Sequence, residues 1–261
     1  MYSFTHHAAS SVADAVKSVG EGKYLAGGHT LIPTMKQRLA QPGHLVDLNK
    51  VAELKGISDN GSVLTIKAMS RHAEVASSDV VKKAIPGLAA LAGGIGDPQV
   101  RHRGTIGGSV ANNDPVADYP AACLALGATI VTDRRRIKAD DFFQGLFTTA
   151  LEDNELITAF EFPHADKFAY AKFRNPASLY ALVGVAVAKR GSDVRVAVTG
   201  AGSDGVFRWT DAEAKLASNF SASALDGLKA SASGLNGDIH GSAEYRAHLI
   251  GVMAKRAAAA A

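Results

Sequence analysis

Six of the sixteen residues from Gly93 to Gly108 are glycine, and that density constrains the fold more than any other feature of the chain. Glycine accepts left-handed turns and lets a backbone come close to a ligand, but it weakens the interior of helices and strands. The run therefore predicts a long turn-rich loop with uncovered N–H groups. Short polar side chains follow within a few residues: Thr105, Ser109, Asn112, Asn113, Asp114 and Asp118. An Ω-loop with a helix cap at Asp114 is the plainer reading. A purely structural loop rarely needs so many glycines beside so many groups able to hold hydroxyls or phosphates. Asp114-Pro115 predicts the start of the next helix.

A second, shorter signal lies upstream in Leu25-Ala26-Gly27-Gly28-His29-Thr30. A strand over Lys23–Ala26 feeds two adjacent glycines, and a hydroxyl residue then opens a helix over 31–38. Such a turn turns backbone amides outward and suits a pyrophosphate. Taken alone it is more often a structural linker.

Around these segments the pattern predicts a β-α-β-α-β unit over residues 1–50, with Ser10 or Ser11 capping a helix at 12–19. Val63–Ala68 alternates as a strand, and Ser70 stands where a helix cap would. Helical patterns cover 80–84 and 87–91, and strands are expected at 128–132 and 156–162. From about residue 167 the pattern changes to antiparallel strands at 168–173, 183–189 and 194–199. Helices are expected after them at 211–217, 222–232 and 243–261, with Ala257–Ala261 as a frayed end. Strands followed by helices predict a separate α+β domain.

Several function classes fall away on composition. The formal net charge is +3, and only Arg134-Arg135-Arg136 forms a basic run. A triplet without interleaved aromatics reads as a solvated turn rather than a nucleic-acid contact. The single cysteine, Cys123, excludes an intrachain disulfide and cannot supply the thiolates of an iron–sulfur cluster; in its apolar surroundings it reads as a small buried hydrophobe. The nine histidines show no metal-ligand spacing. No apolar stretch approaches the length of a membrane span, and the N-terminal residues lack a signal-peptide pattern. The expectation is a cytoplasmic protein. Gly200-Ala201-Gly202-Ser203-Asp204-Gly205 fits a dinucleotide fingerprint, but no helix follows it directly, so it predicts a turn between strands.

Ala-Gly-Gly-His-Thr-Leu-Ile-Pro at 26–33 and Thr-Ile-Gly-Gly-Ser at 105–109, in this order and separation, resemble the paired FAD loops of the xanthine dehydrogenase and aerobic carbon monoxide dehydrogenase superfamily. The chain is similar to the separate FAD-binding medium subunit of those molybdenum hydroxylases. Arg103-Gly104-Thr105, Asp114-Pro115, Asp118-Tyr119-Pro120, Glu155-Leu156-Ile157, Lys172-Phe173 and Tyr180 with Gly184-Val185 extend the likeness over nearly the whole chain. The resemblance implies an α+β fold: a two-part PCMH-type FAD-binding domain, with subdomains at 1–55 and 56–165, and a smaller α+β domain at 166–261.

It also implies a site. Ala26, Gly27, Gly28, His29, Thr30 and Leu31 would bind the FAD pyrophosphate. Thr105, Gly107, Gly108 and Ser109 would line the same cofactor near its phosphates and ribityl chain. Asn112 and Asp118 would take polar contacts, Asp118 on the ribityl hydroxyls. Ile157 and Lys172 would approach the isoalloxazine, and Tyr180 would cover or gate it. No catalytic side chain and no metal ligand is expected in this chain. The 2Fe-2S clusters would belong to a small iron–sulfur subunit and the molybdenum cofactor to a large subunit, joined as a heterotrimer or a dimer of heterotrimers. The substrate (an aldehyde, an N-heterocycle or carbon monoxide) and the final acceptor are not written in this chain. A self-sufficient PCMH-type flavin oxidoreductase and a non-catalytic nucleotide-binding scaffold are the alternatives.

Overall fold

In the computed structural model, which describes residues 1–261, strand β1 (Thr5–Ala8) leads into helix α1 (Val12–Val19). Ser11 starts that helix by accepting a hydrogen bond from the Asp14 amide, one of the donors that a first helical turn leaves free. Strand β2 (Lys23–Leu25), helix α2 (Leu31–Lys36) and strand β3 (His44–Asp47) complete the unit. The three strands are parallel in the order β1-β3-β2, as crossover helices require. Ala15, Val19, Val46 and Leu54 form the core beneath them.

The second unit begins with the hairpin β4 (Ile57–Asp59) and β5 (Val63–Lys67). Six helices follow: α3 (His72–Ser77), α4 (Asp79–Ala84), α5 (Pro86–Gly93), α6 (Pro98–Arg103), α7 (Ile106–Asn112) and α8 (Tyr119–Leu126). Then come β6 (Thr129–Thr132), β7 (Arg136–Lys138), α9 (Ala139–Phe142), the short pair β8 (Phe143–Gly145) and β9 (Thr148–Thr149), and β10 (Ile157–Pro163). The sheet is antiparallel in the order β4-β5-β10-β6-β7. Every residue of α8 is buried, so this helix has no polar face and serves as the centre of the core. Cys123 lies within it, fully buried, and burial pushes its thiol up.

Three expectations for this unit need correction. Ser70 does not cap α3; Arg71 precedes the helix and its amide donates to Glu74 Oε2 at 2.8 Å. The glycine-dense segment is not one loop, because Asp97 caps α6 and Thr105 caps α7 inside it. Asp114-Pro115 opens no helix. The carbonyl of Pro115 accepts from the Gly200 amide and from the Thr199 hydroxyl, and that of Ala117 also accepts from Thr199. Carbonyls held by another strand cannot serve a helical ladder, so the next helix waits until Tyr119.

The third unit is an antiparallel sheet of β11 (Lys167–Arg174), β12 (Ala181–Arg190), β13 (Asp193–Thr199) and β14 (Phe207–Arg208), with α10 (Thr210–Ser218) and α11 (Ala243–Ala260) packed on it. Both faces are covered. On β12, Val183, Val185 and Val187 join the core under α11, while Ala186 and Ala188 join the core around α8, which is the two-residue period of a strand. Gly200–Gly205 forms the turn between β13 and β14. The helix expected at 222–232 shrinks to one 3₁₀ turn, Ala222–Leu225, because Asp226-Gly227 breaks it, with Gly227 at φ +77°. The alanine-rich end is not frayed: Ala257 and Ala258 pack in the core. No helix of the protein is long and apolar enough to cross a membrane.

The arginine triplet lies, as expected, exposed at the turn between β6 and β7, and each arginine there meets a carboxylate: Arg134 with Glu152, Arg135 with Glu155 and Arg136 with Glu161. The Glu155 side chain is buried and also accepts from Thr132 Oγ1 and the Glu152 amide, and the Arg135 hydrogen bond chiefly holds its carboxyl down to about 2. A carboxylate with a depressed folded pKa stabilises above its unfolded value and loses that contribution as pH falls through its folded one. Glu155→Gln is therefore expected to cost about 2 kcal/mol at neutral pH, a reduced figure because the half-exposed Arg135 is screened by water. Urea denaturation at successive pH values checks it: the gap to the native protein closes as pH falls from 4.5 toward about 2.

Candidate functional site

At the end of β2 the chain turns through Ala26-Gly27-Gly28-His29-Thr30 into α2. Gly28 sits at φ +74°, a conformation that disfavours any side chain. Helix α2 closes its first bond from the Ile32 amide to the Gly28 carbonyl, at 3.0 Å. The amides of Gly27, Gly28, His29, Thr30 and Leu31 donate to no acceptor in the protein. Five consecutive open donors at a loop-to-helix turn form a concavity suited to an anion.

The second loop lies directly against the first. A Cβ on Gly27 would fall 2.2 Å from the Arg103 carbonyl oxygen, so the two backbones touch. On the far side of that peptide the His72 ring packs on Gly104, and the His72 amide donates to the Gly104 carbonyl at 3.0 Å. Burial pushes the His72 imidazole down to about 4, with the charges of His29 and Arg101 adding to the effect.

The second loop spends its amides differently. Ile106 N donates to Ser70 O, Gly107 N to Ala68 O, and Gly108 N to the Thr105 hydroxyl. A Cβ on Gly107 would meet the Ala68 carbonyl at 2.7 Å, which explains the glycine. This loop is a wall seated on the β5–α3 connection, whereas the open amides belong to the first loop. Ser109 and Asn112 follow half-buried on α7.

A cleft of about 370 Å³ adjoins both loops. Asn49, Lys55, Ile57, Met69, Arg71 and Thr105 are among the residues that line it, and the Asn49 amide donates to the Ala26 carbonyl. The cleft thus combines two cations and the Glu74 carboxylate with two apolar side chains, and Asn49 links it to the first loop. That donor set fits a group with an anionic centre and an aromatic end, as FAD has.

The other residues expected in the site lie further along. Asp118 is buried ahead of α8, accepting from Tyr170 Oη at 2.5 Å and from Lys172 Nζ at 2.9 Å, both on β11. Burial raises its carboxyl, opposed by Lys172 and Tyr170. Lys172 Nζ also lies 3.5 Å from the Gly94 carbonyl, which ties β11 to the start of the glycine segment. Tyr180 projects from the turn before β12, about half exposed, its phenol raised by partial burial and then by the Asp114 charge. Ile157 sits in the main core on β10. The first loop and Thr105, Gly107 and Gly108 therefore meet, and Asp118 joins Lys172; no hydrogen bond ties Ile157 or Tyr180 to either group. Asn49, Lys55, Arg71, His72 and Tyr170 had gone unselected in the sequence, where each is an isolated polar residue with no periodic signal.

The comparisons with known proteins identify the family of both halves of the chain. Residues 2–165 match the FAD binding domain in molybdopterin dehydrogenase, and residues 168–261 match the CO dehydrogenase flavoprotein C-terminal domain. The carbon monoxide dehydrogenase medium chain of Hydrogenophaga pseudoflava is 37% identical over 99% of this chain and 96% of its own. The nicotine 6-hydroxylase medium subunit of Paenarthrobacter nicotinovorans is also 37% identical, over 93% of this chain and 90% of its own. Among solved structures, the Hydrogenophaga pseudoflava carbon monoxide dehydrogenase lacking the Mo-pyranopterin moiety superposes with a TM-score of 0.87 at 38% identity, covering 98% of this chain and 96% of that one. Quinoline 2-oxidoreductase from Pseudomonas putida 86 gives 0.88 at 28% identity, with the same coverage.

Proposed function

The chain belongs to the family of FAD-binding domains in molybdopterin dehydrogenases, FAD-dependent oxidoreductase subunits, and on that premise we propose that it is the electron-relay subunit of a multi-subunit molybdenum hydroxylase. The five open amides of Gly27 to Leu31, faced by a second glycine loop at backbone contact, carry this reading. With Ala26 they would hold the pyrophosphate. Thr105, Gly107, Gly108 and Ser109 would wall the cofactor, Asn112 and Asp118 would meet its hydroxyls, Ile157 and Lys172 would border the ring and Tyr180 would cover it. In functional terms the chain divides at 1–55, 56–165 and 166–261.

Bound FAD accepts electrons singly or in pairs, which no side chain can do. The protein's own residues bind it, orient it and limit its contact with water. The iron–sulfur clusters must sit on another chain, because the only thiol, Cys123, is sealed in α8, and no group of three or more His, Cys, Asp or Glu residues could hold a metal. A small iron–sulfur subunit and a large molybdenum subunit complete the assembly in the cytoplasm. The organic substrate binds on the large subunit.

Calorimetric titration tests the binding mode. The full chain is expected to take up about one FAD and to bind FMN at least roughly tenfold more weakly, since FMN keeps the isoalloxazine but lacks the diphosphate that the open amides would hold and the adenosine beyond it. Equal affinity for the two flavins would contradict the roles given to both loops.

A further inference from the structure

We propose that Tyr170 is a positioning residue of the flavin site, acting through Asp118 and Lys172, and that Gly184 leaves the space its hydroxyl needs. The inference rests on the reading that Asp118 and Lys172 serve the flavin. Tyr170 and Lys172 are two residues apart on β11 and so share one face of the strand. Both reach across to Asp118, which belongs to the preceding unit and is buried at 4% exposure. Tyr170 Oη donates to Asp118 Oδ1 at 2.5 Å, and Lys172 Nζ donates to Oδ2 at 2.9 Å.

A buried carboxylate oxygen without a donor is costly, so the phenol satisfies the oxygen that Lys172 does not reach. With both oxygens held, the carboxylate plane is fixed. The ammonium then has one hydrogen on Asp118, one directed at the Gly94 carbonyl 3.5 Å away, and one left for a ligand. The neighbouring strand is shaped around this contact. A Cβ on Gly184 would lie 2.1 Å from Tyr170 Oη, so any side chain there would displace the hydroxyl from Asp118. A plain core aromatic would need no hydroxyl and no such gap.

The charged and titratable groups facing Asp118 are Lys172, Tyr170 and Arg174 from β11 and Tyr119 from its own helix. Burial raises the Asp118 carboxyl, and the Tyr170 and Lys172 contacts oppose that rise. Removing the phenol's donation makes the carboxyl easier to protonate, and a protonated Asp118 releases Lys172.

The test measures FAD affinity of the full chain by flavin fluorescence at about pH 5 and about pH 8. Tyr170→Phe is expected to weaken FAD roughly tenfold, with a larger loss than the unaltered protein shows between the alkaline and the acid measurement. Adding Tyr170→Phe to Asp118→Asn should cost nothing beyond Asp118→Asn alone, because the hydroxyl acts through that carboxylate. Gly184→Ala pushes the same hydroxyl aside with Tyr170 unchanged and serves as the second variant should Tyr170→Phe unfold. Unchanged affinity in whichever of these two variants folds, or losses that add in the double variant, would overturn the proposal. Wild-type affinity in both Asp118→Asn and Lys172→Met would instead overturn the underlying reading that the pair serves the flavin.

Discussion

Gly27→Val and Gly107→Val proteins are expected to lose FAD, with affinity falling roughly 10- to 100-fold in each. At Gly27 the new Cβ would lie 2.2 Å from the Arg103 carbonyl oxygen, and at Gly107 2.7 Å from that of Ala68. Neither carbonyl is the end of a flexible side chain, so the backbones must part, which displaces the open amides at Gly27 and the facing wall at Gly107. Gly28→Val reaches the same end through strain, because position 28 sits at φ +74°. Gly202→Val is the matched control. Its Cβ would meet the Gly205 carbonyl at 2.4 Å, so it should lower the melting temperature as much as the others while keeping its flavin. Gly43, with nothing within 4 Å of the added atom, should tolerate valine on both counts. Flavin absorbance per chain, read beside thermal melting, separates the cases. Flavin loss in Gly202→Val equal to that in Gly27→Val would show that crowding anywhere in the chain, rather than the loop contact, releases the cofactor.

How much of this was legible beforehand depended on whether the governing contact was local. Ser11, Gly20 and the strand alternation fix the first unit within a few residues of themselves, and β11, β12 and β13 follow the same kind of signal. Helix α7 was hidden because Ile106-Gly107-Gly108-Ser109 has poor helix propensity. It forms where Thr105 caps it and where Gly107 can sit on the Ala68 carbonyl, a contact 39 residues distant in sequence. The arginine triplet was legible as an exposed turn, but its partners were not, since Glu152, Glu155 and Glu161 lie beyond any local window. In the site, the glycines of both loops announced themselves. Which loop keeps its amides free did not, because the second loop's acceptors at Ala68 and Ser70 come from the β5–α3 connection. Asp118 was visible as a polar residue near the glycines, but its donor Tyr170 looked like one more strand aromatic.

The second large effect concerns what the chain does alone. Loaded with FAD but free of partners, it is expected to be bleached by dithionite and to stay yellow when mixed anaerobically with aldehydes, N-heterocycles or carbon monoxide. The reason is inventory: its one thiol is buried, and no cluster of metal ligands exists to take electrons from such substrates. Bleaching by an organic substrate would favour the self-sufficient flavin oxidoreductase over the relay.

The most direct test is to purify the tagged full chain from its native cells under mild conditions and to analyse the fractions that contain it for flavin, iron and molybdenum. The relay account predicts that FAD, iron and molybdenum elute together with this chain and two further subunits, one small and one large. A yellow chain that elutes alone, with iron and molybdenum absent from its fractions, would contradict it.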